Sequence, residues 1–261
     1  LEYKFRGDRN MTRIIMHGCN GKMGQIISEL CRNDVDTEIV AGIDVVDNKD
    51  NGYPVFTDIK SCNIQADVII DFSIASSING LLDYAVERSI PVVLCTTGLS
   101  PEQLNKVSID SKKVGILKSA NMSLGINTIM KLLQEAANVF APAGFDIEIV
   151  EKHHNQKLDA PSGTAIALAD AINEVCGNEY QYVYDRSAVR RKRDSKELGI
   201  SAVRGGTIVG EHEVIFAGID EVIEIKHTAY SKSVFAKGAI EAAKFMTGKP
   251  AGMYNMADVI G

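Results

Sequence analysis

No stretch of this chain stays apolar for the roughly 18 residues a membrane-spanning helix needs, so a helical membrane protein is not expected. Its first ten residues, Leu1 to Asn10, are polar and charged and lack the apolar centre of a secretion signal. They are read as a leader or an added remnant, with Met11 as the natural start. The five cysteines, Cys19, Cys31, Cys62, Cys95 and Cys176, are odd in number, scattered and never spaced C-x-x-C. That disfavours a disulfide framework or a zinc site and points to buried thiols in a reducing cytoplasm. There is no excess of positive charge either: 28 Lys and Arg face 34 Asp and Glu, a balance that argues against nucleic-acid or anionic-membrane partners. The basic run Arg190 to Arg193 is short and followed by Asp194 and Glu197. It reads as a solvated loop or a contact for a small anion. Internal repeats, low-complexity segments and the G-x-S-x-G of a nucleophile elbow are absent.

What is present begins with a core. Of 261 residues, 45% are apolar, enough for one large or two moderate domains. Thr12 to His17 is a short apolar run that reads as a buried strand. It enters Gly18-Cys19-Asn20-Gly21-Lys22-Met23-Gly24, and an amphipathic helix follows. Strand, glycine turn and helix is the context of a dinucleotide fingerprint, here spaced G-x-x-G-x-x-G. The glycines permit a tight turn, a close backbone approach to pyrophosphate and helix packing, with the helix N-terminus facing the anion. A second strand, Glu38 to Asp44, ends in a carboxylate suited to ribose hydroxyls.

Further strands at Asp67–Phe72, Pro91–Cys95 and Val114–Leu117 alternate with helices. Ser73 is expected to cap the first of these helices and Ser100, before Pro101, the second. The pattern predicts a Rossmann-like, doubly wound parallel sheet that binds ligands at the carboxyl ends of its strands. The polar segments Asp71-Phe72-Ser73, Thr96-Thr97-Gly98 and Ala120-Asn121 fall on that edge. The long helix predicted from Leu124 to Phe140 marks a domain boundary. Beyond it, Asp146 to Glu151 alternates as a half-buried strand, a helix spans 163–175, and 177–199 looks irregular. The segments 200–204, 211–217 and 221–227 look like strands of an open, mixed, mostly antiparallel sheet. Its polar face suits a site or an oligomer interface. A last helix starts at Ser233, and the tail is expected to pack on the first domain.

One stretch, Glu151 to Ala165, concentrates the chemistry. His153 or His154 can act as general acid or base near neutral pH. Lys157 can pair with a carboxylate or donate a proton. Gly163 and Thr164, after Pro161 and Ser162, open a helix whose N–H groups and hydroxyl form a carboxylate cradle. The implied ligand is a small, multiply anionic molecule. Adjacent histidines alternate across a strand, and no convincing set of further ligands accompanies them, so no metal is expected.

The motif Glu-Lys-His-His-Asn-Gln-Lys-Leu-Asp-Ala-Pro-Ser-Gly-Thr-Ala at 151–165 closely resembles the signature of the dihydrodipicolinate reductase family. Gly18–Gly24, Asp71–Ser73, Thr96–Gly98, Ala120–Ser123 and Val209–His212 match it as well. The resemblance covers essentially Met11 to Ile260. It implies NADH- or NADPH-dependent reduction of a cyclic dicarboxylate in the diaminopimelate route to lysine. By the same resemblance the cofactor lies along Gly18, Cys19, Asn20, Gly21, Lys22 and Met23, with its ribose on Asp44. Its nicotinamide sits near Cys95, Thr96, Thr97, Ala120, Asn121 and Met122. His153 is implied as proton donor or acceptor, Lys157 as a proton donor that offsets negative charge. His154, Gly163 and Thr164 are implied to hold a substrate carboxylate. The expected domains are 11–123 with 232–261 for the dinucleotide, and 124–231 for substrate and oligomerisation, the family being commonly homotetrameric and hinged. Two departures stand out. Some members place an arginine after the ribose-binding acid, where this chain has Val45 and Val46; NADH preference with residual NADPH use is expected, Lys49 or Lys22 attracting the phosphate. Cys95 stands where glycine is common. Competing readings are a related reductase of another small amino or keto acid, a dinucleotide sensor without turnover and, weakest, a nucleic-acid-binding module.

Overall fold

The computed structural model describes residues 11–261; the leader assigned to residues 1–10 lies outside the described residues. The chain divides into two compact units, one made of residues up to Ser123 together with Ser233–Gly261, the other of Leu124–Lys232.

In the first unit, β1 (Thr12–His17) leads into α1 (Lys22–Arg32), β2 (Thr37–Ile43) and the two-residue β3 (Val55–Phe56). Next come β4 (Val68–Asp71), α2 (Ile78–Arg88), β5 (Val92–Leu94), α3 (Pro101–Asp110) and β6 (Gly115–Lys118). The second unit holds α4 (Leu124–Phe140), β7 (Asp146–His153), α5 (Gly163–Val175), β8 (Gln181–Val183), β9 (Glu197–Arg204), β10 (Gly210–Ala217) and β11 (Val222–Ala229). The chain then returns to the first unit as α6 (Ser233–Met246), β12 (Gly252–Tyr254) and α7 (Met256–Ile260).

The first unit is a seven-stranded sheet in the order β12-β6-β5-β4-β1-β2-β3, with every ladder parallel. Strands such as Val68-Ile-Ile-Asp71 are buried along their whole length, as a sheet covered on both faces demands. The order reverses between β1 and β4, the position at which such sheets bind ligands. α3 carries a capping box: the Ser100 hydroxyl accepts from Gln103 N–H while the Gln103 side chain accepts from Ser100 N–H. Ser73 does not cap α2 as its sequence suggested. Its hydroxyl turns back to Asp71 at 2.5 Å and on to Ser77 at 2.9 Å, and a short 3-10 turn precedes the helix.

The second unit packs α4 and α5 on a five-stranded sheet of order β11-β10-β7-β9-β8. It is mixed, as expected. β7 pairs antiparallel with β10, and β10 with β11, whereas β7–β9 and β9–β8 are parallel. The parallel ladders follow from chain path: β7 and β9 are joined by a crossover that contains α5, and only such a long connection brings parallel strands side by side. The interval 177–199 also holds β8 and the start of β9, which two or three residues of alternation could not announce. The core under the helices is Leu133, Ile147, Ile149, Leu168, Ile172, Leu198, Val214 and Phe216.

Within the basic run, Arg193 bridges Asp146 and Glu148 at 2.6 and 3.0 Å, and Arg191 meets Glu197 at 2.8 Å. Those charges are spent on holding the loop.

Candidate active site

At the carboxyl edge of the first sheet a cavity of about 630 Å³ is lined by Gly18, Asn20, Gly21, Asp44, Val45, Val46, Lys49, Phe72 and Ser73, among others. The glycine turn earns its composition. Gly18 has φ +83°, and a Cβ there would meet the Phe72 carbonyl oxygen at 2.6 Å. A Cβ on Gly24 would stand 2.3 Å from the Gly18 oxygen. Gly21 precedes α1 without a side-chain cap, and no acid sits in the first turn, which leaves a positive helix end for an anion. Asp44 is already oriented: its carboxylate accepts from Asn20 N–H and Val45 N–H, both at 2.8 Å.

The other residues expected near the cofactor are distributed as follows. Cys19 is fully buried, and burial first, then the Asp44 charge, pushes its thiol up to about 11; it packs and offers only backbone. Lys22 is exposed and Met23 half-buried at the start of α1. Thr96 is buried, with its hydroxyl 3.5 Å from that of Ser73, while Thr97 and Ala120 are exposed. Burial, with Asp71 second, pushes the Cys95 thiol well above its ordinary range. Asn121 is buried and accepts Ser123 N–H at 2.8 Å just before α4, and Met122 is buried. Beneath the cavity lies a pair that sequence reasoning missed: His17 Nδ1 is 2.8 Å from Asp71 Oδ1 on the neighbouring strand. Gly24→Ala is expected to raise KM for the dinucleotide and to cost about 1–3 kcal/mol of stability, because the added methyl meets backbone. NADH titration and urea unfolding would check it; wild-type values for both would refute it.

In the second unit the buried carboxylate of Glu151 organises the site. Glu151 and His153 are two residues apart on β7 and so share a face. His153 Nδ1 lies 2.6 Å from Glu151 Oε2. Arg204, at the end of the parallel neighbour β9, grips the same carboxylate with Nη1 and Nη2, both at 2.7 Å. Ser162 N–H donates to Oε1 at 2.9 Å. Burial pushes the Glu151 carboxyl up, yet the bonds from Arg204, His153 and Ser162 outweigh it and hold it below the usual carboxylate range. His153 therefore presents Nδ1–H to Glu151, and its Nε2 stays available. Burial lowers His153 from its ordinary value, with Glu151 opposing the shift.

Ser162 caps α5: its hydroxyl accepts Ala165 N–H at 3.2 Å. Gly163 and Thr164 form the first turn of that helix, the position expected for a carboxylate cradle. Lys157 lies in the preceding loop, with its ammonium 2.9 Å from Asp159. Lys157 first, and Gly163 N–H among the lesser causes, hold Asp159 below the usual carboxylate range. A carboxylate of the chain thus rests on two of the donors expected to face a ligand. Arg204 also donates to the Asp159 carbonyl at 2.7 Å, tying the loop to the sheet. His154 is half-buried, at the loop's start. Glu151, Arg204 and Ser162 were not singled out from sequence. The i, i+2 spacing of Glu151 and His153 on a strand was a usable signal; Arg204, 53 residues away, gave none.

A family model described as "Dihydrodipicolinate reductase, N-terminus" matches residues 12–122, and one described as "Dihydrodipicolinate reductase, C-terminus" matches 125–260. The 4-hydroxy-tetrahydrodipicolinate reductase of Clostridium tetani is 53% identical over 94% of this chain and 96% of its own length. That of Caldanaerobacter subterraneus is 52% identical over 96% and 98%. Among solved structures, a dipicolinate-bound dihydrodipicolinate reductase from Paenisporosarcina sp. TG-14 superposes with a TM-score of 0.78 at 26% identity, covering 94% of this chain and 97% of that one. A probable dehydrogenase from Thermotoga maritima, 13% identical with a TM-score of 0.58 over 95% and 92%, shares the fold.

Proposed function

The chain belongs to the dihydrodipicolinate reductase family, and on that premise we propose that it is a 4-hydroxy-tetrahydrodipicolinate reductase of the diaminopimelate route to lysine. The observation that carries this reading is the Arg204–Glu151–His153 chain, centred on the buried Glu151 carboxylate, beside the α5 N-terminus. It combines an oriented imidazole with cationic and N–H donors, as protonation of a bound dicarboxylate requires.

The first unit fits a nicotinamide dinucleotide: the glycines leave room for pyrophosphate, the uncapped α1 start favours its charge, and Asp44 suits ribose hydroxyls. When bound, NAD(P)H supplies the hydride that reduces the ring. The chain's own residues do the rest. Glu151 fixes the His153 ring and stabilises its protonated form, and His153 exchanges a proton through Nε2. Gly163, Thr164 and His154 hold one substrate carboxylate. Lys157 offsets negative charge and can give up a proton. Because Asp159 leans on Lys157 and Gly163, a substrate carboxylate takes over donors that Asp159 now uses. Loss of NADH absorbance with the cyclic substrate, but not with a panel of other amino and keto acids, is the expected assay result; turnover of another acid alone would sink the assignment.

NADH is the preferred cofactor in this reading, with NADPH still used. Val45 and Val46 are exposed where a 2′-phosphate would need a cation, but Lys49 lines the same cavity with its ammonium 2.8 Å from the Asn20 carbonyl. A kcat/KM comparison tests this, and a clear NADPH preference would refute it. A cytoplasmic homotetramer built through the second unit's sheet completes the proposal. Light scattering checks the tetramer, and a monomeric mass overturns it. Among the described residues no helix is long and apolar enough to cross a membrane.

A further inference from the structure

His212 lies on β10 and has no role in the scheme above, yet it is only 6% exposed and faces the site. It stands directly opposite Glu151 on β7 and opposite His227 on β11. Its Nε2 is 3.0 Å from the Ser162 hydroxyl. Its ring meets that of His153 edge-on, with centroids 5.1 Å apart at 74°. Ser162 is the joint between the two halves of the site: its N–H holds Glu151, and its hydroxyl holds the first turn of α5 through Ala165 N–H.

From these contacts we infer that His212 is a positioning residue of the reductase, fixing the Gly163–Thr164 carboxylate cradle through Ser162 and the plane of the His153 ring through edge contact. The inference rests on the reading of His153 and the α5 turn as the substrate site. Its physical support is a cost. The Nδ1 of His212 is buried and finds no partner among the described residues, and a buried polar atom left unpaired is destabilising. An apolar side chain of similar size would avoid that cost but would lose the grip on Ser162. Burial, with the neighbouring His153 second, pushes His212 down to about 4, so the ring stays neutral and adds no charge beside Arg204 and Lys157.

The test is steady-state kinetics with the cyclic substrate and NADH, together with the Kd of pyridine-2,6-dicarboxylate. His212→Leu is expected to raise KM for the substrate and that Kd about tenfold and to lower kcat about tenfold, as slight misplacement of reacting groups does. KM for NADH should stay within about twofold of wild type. His212→Gln, whose amide nitrogen reaches the place of Nε2, should recover most of both losses. His212→Asn, too short to reach Ser162, should not, and this pair decides the matter if the leucine variant does not fold. His212→Leu combined with Ser162→Ala should lose little more than the worse single variant. A residue that only fills the core would lower Tm and leave kcat and KM of the folded protein alone; that outcome, or additive losses with Ser162→Ala, overturns the inference. Wild-type turnover and a slow His153→Ala variant are the controls. Their failure overturns the reading of the site, and this inference with it; silent His212 variants beside intact controls overturn this inference alone.

Discussion

His153→Ala is expected to lower kcat by about 10²–10⁴, the usual share of a positioned acid–base group, with KM for NADH close to wild type. The nitrogen that does the work is identifiable. Nδ1 is committed to Glu151 at 2.6 Å, which leaves Nε2 for the substrate. The glycine at 210 keeps that nitrogen uncrowded, since a Cβ there would stand 3.2 Å from it. The loss is not expected to be one of folding, because Glu151 keeps Arg204 and Ser162 as partners when the imidazole is removed. The pH profile adds a second signature. Burial holds His153 below its ordinary value, against the pull of Glu151. As the proton donor it must be protonated, so kcat/KM falls as pH rises through that lowered value, earlier than an ordinary histidine would dictate. The alanine variant should lose this limb. An unchanged kcat in a folded His153→Ala protein would mean that the residue is structural.

What the sequence disclosed follows from where physical period is strong. Thr12–His17, Leu124–Phe140 and Gly163–Val175 are readable to the residue, because an apolar run ending in a glycine turn, a long helical period and the Pro161-Ser162-Gly163-Thr164 turn leave little freedom. β3, β8 and β12 are two or three residues long and exist through pairing with a neighbour that local pattern cannot show. That β9 runs parallel to β7 is not legible for a related reason: alternation reports a half-buried strand and says nothing of the sense in which it runs. The site divides the same way. His153, Lys157, Gly163 and Thr164 are concentrated in one segment, so their chemistry is visible in the order of residues. Arg204 and His212 reach Glu151 and Ser162 only through strand register, from β9 and β10. Ser73 resembled a helix cap because serine before a helix usually is one; the buried Asp71 carboxylate outcompeted the helix end for its hydroxyl.

Glu151 is the position at which substitution should hurt folding and chemistry together. Its carboxylate is fully buried and accepts from Arg204 twice, from His153 and from Ser162 N–H. Glu151→Ala removes the one acceptor that all of these donors share. Breaking a buried ion pair from one side costs about 3–5 kcal/mol; because the Arg204 side chain keeps 19% of its surface in water, the lower end is expected. Glu151→Gln keeps the volume but turns an NH₂ toward groups that donate, so it repairs packing without repairing the pairing. Both variants also release the His153 ring, and Glu151→Gln should lower kcat about 10²-fold. Added to His153→Ala it should lower kcat little further, since the two residues act as one unit. Acid provides the remaining check. The folded carboxyl sits below its ordinary range, so its stabilisation is fully present above the unfolded value of about 4.3 and is lost as pH falls through the depressed folded value. Urea midpoints of the wild type should fall over that acid interval more steeply than those of Glu151→Gln, which has no proton to take up. Equal slopes, with wild-type stability and kcat in the glutamine variant, would show that the carboxylate neither anchors the fold nor orients His153.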